Sequence, residues 1–320
     1  MTFHEFCLSR GIIPPDIFTL GKWQRCATVN HPRKKNASVK LDESGTIGWA
    51  VNFESAKNAE TWSEGNAVER TAEEIALANA RLSERIAKRR EEEIRGSMRA
   101  RAAYYAASDL RHAAHPYLER KRLTMLGCAG IRVDKEGALV IPKYRKGKLV
   151  SIERIFGDGT KKSAYQAPSK GASFRIWRPG ASVTILCEGF ATGLAVFEAV
   201  PQSTVVVCFS AGNMIEVAKR EDWRGMVAIA ADCDRDTEDN LGSNPGVEAG
   251  KQAAQAIGCG VAWPEFDGGS DWHDLFVARL EIIEETEKLK QWPRSPIKLR
   301  QDALLPVKNA LMAALKNVQE

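Results

Sequence analysis

Apolar positions recur along this chain with three different rhythms. Up to about residue 66 they alternate. The stretches Ala37-Ser-Val-Lys-Leu41 and Gly45-Thr-Ile-Gly-Trp-Ala-Val51 send every second side chain to one face and are flanked by turn formers, so residues 1–66 are expected to form a small antiparallel β module. From residue 67 to about 110 the chain turns to Ala, Arg and Glu with no Pro and a single Gly, Gly96, which predicts a long charged helix, or two in tandem, over 67–114. Thr71 with Glu74 three residues on makes a capping box at its start. Short apolar runs then return in Ala138-Leu-Val-Ile-Pro142, Leu149-Val-Ser-Ile-Glu-Arg-Ile155 and Phe174-Arg-Ile-Trp177, separated by basic and Gly-containing turns. They predict a basic β-rich subdomain over 115–181. After Pro179-Gly180 the rhythm changes again, to continuous apolar runs at 183–187, 205–209, 226–231 and 260–263 alternating with helical segments at 191–200, 213–220 and 246–257. Strands that are apolar on both faces, interleaved with helices, predict an α/β domain over 182–280 built on a parallel sheet with flanking helices. The remainder, 281–320, has a helical pattern and no recognisable site.

Composition narrows the class. With 320 residues, 44% hydrophobic and 27% charged, and no apolar run near 18 residues, the chain reads as a globular protein of several domains rather than a disordered or membrane-spanning one. The opening MTFHEFCLSR has no apolar core of a signal peptide, and the seven cysteines never come closer than 19 residues apart. Both features predict a cytoplasmic location. The net charge of +5 hides an asymmetry: residues 182–280 hold 6 Lys/Arg against 15 Asp/Glu, while the rest holds 40 against 26. An acidic block on a basic chain suits carboxylates that hold metal, surrounded by cations that hold a polyanion. An acidic domain beside a basic coiled segment would give the same sums.

In open α/β sheets ligands collect beyond the carboxyl ends of the strands. Three acidic features fall there: Glu188 after the run 183–187, Asp232-Cys-Asp234 after 226–231, and Ser270-Asp-Trp-His-Asp274 at the start of the helix after 260–263. Like charges at neighbouring strand ends are unfavourable unless a divalent cation lies between them, and oxygen ligands of this kind suit Mg²⁺ or Mn²⁺. The implied chemistry is phosphoryl transfer. Asp271 and Asp274 also fit an ordinary helix cap and first-turn acid. Asp236, Glu238 and Asp239 read as solvated loop charges, and Cys187, Cys208 and Cys233 as small buried hydrophobes.

Taken in order, His115-Pro-Tyr-Leu-x-Arg-Lys121, Leu139-Val-Ile-Pro142, Cys187-Glu-Gly-Phe-Ala-Thr-Gly193, Ser210-Ala-Gly-Asn213, Ala231-Asp-Cys-Asp-Arg235, Asn244-Pro-Gly-Val247 and Ser270-Asp-Trp-His-Asp-Leu275 resemble the Toprim primases of phages and conjugative plasmids. The resemblance covers about residues 115–276. It implies that Glu188 is the general acid/base, that Asp232 and Asp234 are metal ligands, and that Asp271 adds a further metal or nucleotide site, with His273 or Asp274 as its polar companion. It also implies that Arg154, Lys161 and Lys162 hold nucleotide and nascent primer, and that Asn213 lies near bound phosphates. Cys26-x4-His31 followed by Gly45-x-x-Gly-Trp49 resembles the zinc-ribbon module of these primases, but the second cysteine pair is missing. Two ligands cannot close a structural zinc site, so zinc is not expected. Trp23, Trp49 and Trp62 then supply core or base-stacking surfaces, with core expected for at least two.

The expected activity is synthesis of short RNA primers from ribonucleoside triphosphates on a single-stranded DNA template. No GxxxxGK[ST] motif occurs, so a separate replicative helicase is the expected partner, and no membrane. A Toprim nuclease using the same acids, or a non-catalytic DNA-binding accessory protein of replication, remains as an alternative.

Overall fold

The computed structural model of the chain describes residues 1–56, 58–64, 72–110, 115–125, 127–220, 223, 225–235 and 244–316. It divides into two units, Met1–Glu84 and Arg85–Glu320.

The first unit opens with helix α1 (Phe3–Ser9), whose start is fixed by a reciprocal cap. The Glu5 N–H donates to Thr2 Oγ1 at 3.2 Å, and the Thr2 N–H donates to Glu5 Oε2 at 2.8 Å. Strands β1 (Ile12–Ile13), β2 (Gln24–Thr28), β3 (Ala37–Leu41), β4 (Ile47–Asn52) and β5 (Glu60–Ser63) follow as an antiparallel sheet in sequence order. The two alternating stretches read from the sequence are β3 and β4. Phe3, Phe6, Cys7, Cys26, Val39, Ala50 and Trp62 form the core. Of the three tryptophans only Trp62 is core, its Nε1–H donating to Met1 O at 2.9 Å, whereas Trp49 is half-buried and Trp23 is 50% exposed. Two core tryptophans are therefore one too many: Trp49 pairs with Lys40 and Thr61, on the face of β4 opposite to that of Gly48 and Trp62.

Helix α2 (Ala72–Ala106) realises the charged helical segment; Thr71, the first half of its expected capping box, lies outside the described residues. Its last turns are not a solvated rod. Ala100, Tyr104 and then Ala107 pack on Val140, Leu149 and Ile152, and Ser97 Oγ donates to Val150 O at 2.9 Å. Strands β6 (Ser108–Asp109), β7 (Arg132–Val133), β8 (Leu139–Arg145), β9 (Lys148–Ile155) and β10 (Lys161–Ser163) form an antiparallel sheet in the order β10-β9-β8-β7-β6. The β8–β9 turn places Lys146 and Gly147 at φ of 50° and 72°, two successive left-handed residues that glycine accommodates without strain. Helix α3 (Pro116–Arg120) begins at His115, whose ring accepts from the Tyr117 N–H at 3.2 Å.

The third sheet has the order β11-β13-β12-β14-β15, from β11 (Phe174–Ile176), β12 (Val183–Cys187), β13 (Ser203–Val207), β14 (Met226–Ala230) and β15 (Gly260–Ala262). Strands β12 to β15 are parallel, as expected, and β11 lies antiparallel at the edge beside β13. The run 174–177, read from sequence as part of the β-rich region, thus hydrogen-bonds into this sheet instead. Helices α4 (Phe190–Ala199), α5 (Ala211–Ala218), α6 (Pro245–Ile257), α7 (Trp272–Lys288) and α8 (Pro296–Lys316) complete the domain. Alternation sorts the strands onto two cores: Val183, Ile185 and Cys187 face α4, α7 and α8, while Leu186, Val206 and Ile229 face α5 and α6. That double burial explains the continuous apolar runs. The C-terminal helix is part of this core through Leu299, Ala303, Val307 and Leu311. Among the described residues no helix is long and apolar enough to cross a membrane.

Candidate metal and nucleotide site

Strands β12 and β14 are adjacent and in register, Cys187 opposite Ala230, so the residues that leave their carboxyl ends emerge side by side. Glu188 follows β12 directly. Its carboxylate accepts from the Ala211 N–H, and its carbonyl accepts from the Phe209 N–H at 2.8 Å, with Phe209 itself held at φ 69°. Asp232 and Asp234 follow β14 in a turn pinned from both sides. The Cys233 N–H donates to Ser270 O at 2.7 Å and the Asp234 N–H to Asn244 Oδ1 at 3.0 Å. The same Asn244 oxygen caps α6 by accepting from the Val247 N–H at 3.2 Å. Glycine is required at 246, where a Cβ would stand 2.5 Å from Asp232 O and 3.1 Å from Asp234 Oδ2.

Asp271 is the N-cap of α7, accepting from the Asp274 N–H at 2.8 Å. The capping role open from the sequence is therefore real, and it aims Asp271 back at the strand ends. Asp274 accepts from the Ser270 N–H at 3.3 Å and lies 3.7 Å from Lys121 Nζ. His273 is buried, its Nε2 2.7 Å from Lys121 O and its Nδ1 3.6 Å from Asp274 Oδ1. Ligand atoms of Asp271, His273 and Asp274 lie within 4.8 Å of one another.

The electrostatics single out Asp232. Its carboxyl is pushed well above the usual carboxylate range by burial, and further by Asp271, Glu188 and Asp234, while its Oδ1 is buried with no hydrogen-bond partner. Glu188 is raised by burial and by Asp234, against the pull of the Ala211 N–H and Lys161. Asp274 is lowered instead, by the His273 ring beside it and by Lys121. An orphaned buried carboxylate oxygen amid three other carboxyl groups is a donor set for a hard divalent cation, which keeps water and takes phosphate oxygens as further ligands. A divalent metal ion fits these residues.

The basic residues divide. Lys161 pairs with Ile155 and Ser163 with Glu153 on β10–β9, and this face carries the Lys161 charge felt by both Glu188 and Asp232. Arg154 and Lys162 pair with each other on the opposite face, which carries Val140 and Ile152 against α2. There Arg154 forms ion pairs with Asp134 at 2.6 Å and Glu136 at 3.0 Å. Of the three cations expected to hold nucleotide and nascent primer, strand alternation thus puts Lys161 on one face of β9–β10 and Arg154 and Lys162 on the other. Asn213 is likewise engaged: its Oδ1 accepts from the Gly171 N–H at 2.6 Å, and its Nδ2 donates to Ala172 O at 2.8 Å and Cys208 O at 2.6 Å. Its side chain ties the loop before β11 to the end of β13. Asp236, Glu238 and Asp239 lie outside the described residues.

The sequence reading missed Lys143. On β8 its ammonium is buried, 3.2 Å from Glu153 Oε1, 3.0 Å from Ser163 Oγ and 4.1 Å from the centre of the Phe209 ring. Burial lowers its pKa, against the attraction of Glu153. Its signal was present, since a lysine in phase with Leu139 and Ile141 sits on a buried strand face.

In the first unit, Cys26 lies in the core and His31 Nδ1 is 2.7 Å from Glu54 Oε1.

Residues 183–281 match the family model described as Toprim domain. Two proteins of Escherichia coli, both named DNA primase TraC, are similar to this chain. One is 34% identical over 160 residues, covering 47% of this chain and 11% of its own length; the other is 33% identical over 165 residues, covering 49% and 15%. The chain thus spans about an eighth of the length of the curated relatives it matches. The primase fragment of the bacteriophage T7 primase-helicase protein aligns with a TM-score of 0.39 at 17% identity, over 57% of this chain and 79% of that one.

Proposed function

We propose, from the premise that residues 183–281 are a Toprim domain similar to that of DNA primases, that this chain is itself a primase. It joins ribonucleoside triphosphates into short RNA primers on single-stranded DNA. The observation that supports this best is the buried, unpartnered Asp232 Oδ1 beside Glu188, Asp234 and Asp271, an arrangement that a divalent cation relieves. When bound, Mg²⁺ or Mn²⁺ on Asp232, Asp234 and Asp271 supplies Lewis-acid neutralisation of the triphosphate and of the leaving oxygen.

The residues do the rest. Glu188, raised above the usual range by burial, takes the proton from the attacking 3′-hydroxyl. A bond forms between that 3′-oxygen and the α-phosphorus, the bond from the α-phosphorus to the bridging oxygen breaks, and pyrophosphate departs. Lys161 holds phosphate oxygens against the cluster, with Lys143 behind it keeping β10 in place. Asp274, paired with Lys121 and His273, orients Asp271 through the α7 cap. Arg154 and Lys162 meet the primer or template only on the face of β9–β10 opposite to that of Lys161. We assign unwinding to a separate helicase and place the protein in the cytoplasm, in phage or plasmid replication.

The test is primer synthesis on single-stranded DNA with labelled ribonucleotides and Mg²⁺ or Mn²⁺, for the wild type, Glu188→Gln and Asp232→Asn/Asp234→Asn. Products from the wild type alone are expected. Cleavage of labelled DNA without nucleotides would make the chain a nuclease, and DNA binding without either activity would make it an accessory protein.

A further inference from the structure

A charge sits where the alternation of β8 calls for an apolar residue. Lys143 is in phase with Leu139 and Ile141, whose side chains belong to the core shared with the parallel sheet. Taking an ammonium out of water is unfavourable unless its N–H groups find partners. Glu153 Oε1 at 3.2 Å and Ser163 Oγ at 3.0 Å take two of the three, and these residues pair with each other across β9–β10. The remaining neighbour is a ring: Nζ stands 4.1 Å from the centre of Phe209. A buried ion pair adds little stability over an apolar pair of the same size. What an apolar residue at 143 could not do is hold Phe209 by attraction to its π face, an attraction that is strongest away from water.

Phe209 needs holding. It follows β13 with φ of 69°, a left-handed conformation that disfavours a bulky side chain and persists only where the surroundings enforce it. That turn of the chain serves Glu188 twice. The Phe209 N–H donates to Glu188 O at 2.8 Å, next to the bond from the Cys208 N–H to Cys187 O at 2.9 Å. Two residues on, Ala211 begins α5, and its N–H donates to the Glu188 carboxylate. The segment 209–211 thus grips both the backbone and the side chain of Glu188. Its ring, half-buried at the margin of the core, is what anchors it to β8.

We propose that Lys143 is a positioning residue for Glu188: its ammonium fixes the Phe209 ring, and through the segment 209–211 it sets the direction of the carboxylate. Lys143 itself touches no reacting atom. What the carboxylate does in the reaction rests on the primase reading; how it is held does not.

The experiment has two arms, both on the full chain. The first is amide hydrogen exchange at Phe209 and Ala211, in EDTA and without nucleotides. Lys143→Met keeps the stem and removes the charge, and Glu153→Gln is combined with it so that no carboxylate is left uncompensated. This charge-free pair is expected to exchange about ten-fold faster at 209 and 211, the loss of one desolvated cation–ring contact, with the amides of β12 and β14 unchanged. Phe209→Leu, which leaves the ion pair intact, is expected to do the same. Adding it to the charge-free pair should change nothing further, because both act through one contact. Lys143→Arg, which keeps a cation over the ring, is expected to stay within about two-fold of the wild type. The second arm is primer synthesis by the same proteins. In the charge-free pair and in Phe209→Leu, kcat is expected to fall about ten-fold with KM for ribonucleotides unchanged, as for a misplaced acid/base rather than a lost binding contact.

Unchanged exchange at 209 and 211 in the charge-free pair overturns the proposal. So does a rise shared equally by β12 and β14, which would make the ion pair a general element of stability. A triple variant whose loss is the product of the separate losses overturns it as well, and so does a raised KM at constant kcat. A wild type that makes no primer refutes the primase reading, and exchange, read without metal or substrate, then decides this one by itself.

Discussion

Two carboxylates, Glu54 in the first unit and Asp232 in the second, sit in poorly solvated places and are treated in opposite ways. Glu54 Oε1 is saturated: it accepts from Thr28 Oγ1 at 2.5 Å and Asn36 Nδ2 at 2.9 Å, and His31 Nδ1 lies 2.7 Å away. Burial would raise its pKa, yet these partners hold it at about 2. Asp232 has a buried oxygen with no partner and three carboxylates for company, and its pKa moves the other way. A carboxylate oxygen whose acceptor capacity is filled makes a structural joint. One that is left open, at the cost of self-repulsion, is poised for something that arrives from outside. The contrast also accounts for His31, which resembles half of a zinc pair in sequence and serves Glu54 in the fold.

The largest effect should come from closing the open carboxylate. Asp232→Asn is expected to reduce primer synthesis about a thousand-fold, the several kcal/mol that a lost metal ligand represents. In EDTA the same variant should melt higher than the wild type, by about 3 °C for roughly 1 kcal/mol of relieved repulsion. Added Mg²⁺ should raise the melting temperature of the wild type and leave that of the variant unchanged. A variant that melts lower in EDTA would mean Asp232 is a joint like Glu54, and the comparison would collapse.

Much of this contrast was legible in the chain itself, and the reason is local. Strands β12 to β14 are buried on both faces, so their apolar runs stand out from helices and loops, and acids that follow such runs are placed by topology alone. Glu188, Asp232 and Asp234 needed nothing more to be placed there, whereas Asp271, at the start of a helix, read equally as an ordinary cap. Lys161, Lys162 and Arg154 needed a register: adjacent lysines on one strand point to opposite faces, and only the β9–β10 pairing says which of them meets the acids. Glu54 could not be found, because Thr28, His31 and Asn36 come from other loops and strands and nothing in their spacing joins them. The apolar stripe of α2 was hidden for a related reason, since alanines carry it among arginines.

Smaller effects should follow from disturbing the supports. At Gly246→Ala the new Cβ meets Asp232 O at 2.5 Å, so the turn 232–234 must move. A cost of about 1–3 kcal/mol in stability is expected, with Mg²⁺ affinity, measured by calorimetric titration, down about ten-fold. Glu54→Gln should cost about 1–2 kcal/mol, because it removes the charge that strengthens the three bonds converging on Oε1. Hydrogen exchange of the β2–β4 amides reads that loss. The Mg²⁺ titration should not change, whereas in Gly246→Ala the exchange of β2–β4 should not change.

The smallest test is acid titration of the first unit. With its pKa near 2 in the fold against about 4.3 in an unfolded chain, Glu54 is ionised in both states above pH 5, and its contacts contribute in full. As the pH falls through 4 toward 2 the unfolded chain takes up the proton first, so the contribution drains away over that window. Because His31 is 41% exposed, part of the attraction is screened, and about 1–2 kcal/mol should be lost. Protection of the β2–β4 amides should therefore decline between pH 5 and 2 in the wild type, and decline less in Glu54→Gln, which has no proton to gain. Parallel decline in both proteins would assign the acid sensitivity to other carboxylates, and Glu54 would no longer serve as the saturated counterpart of Asp232.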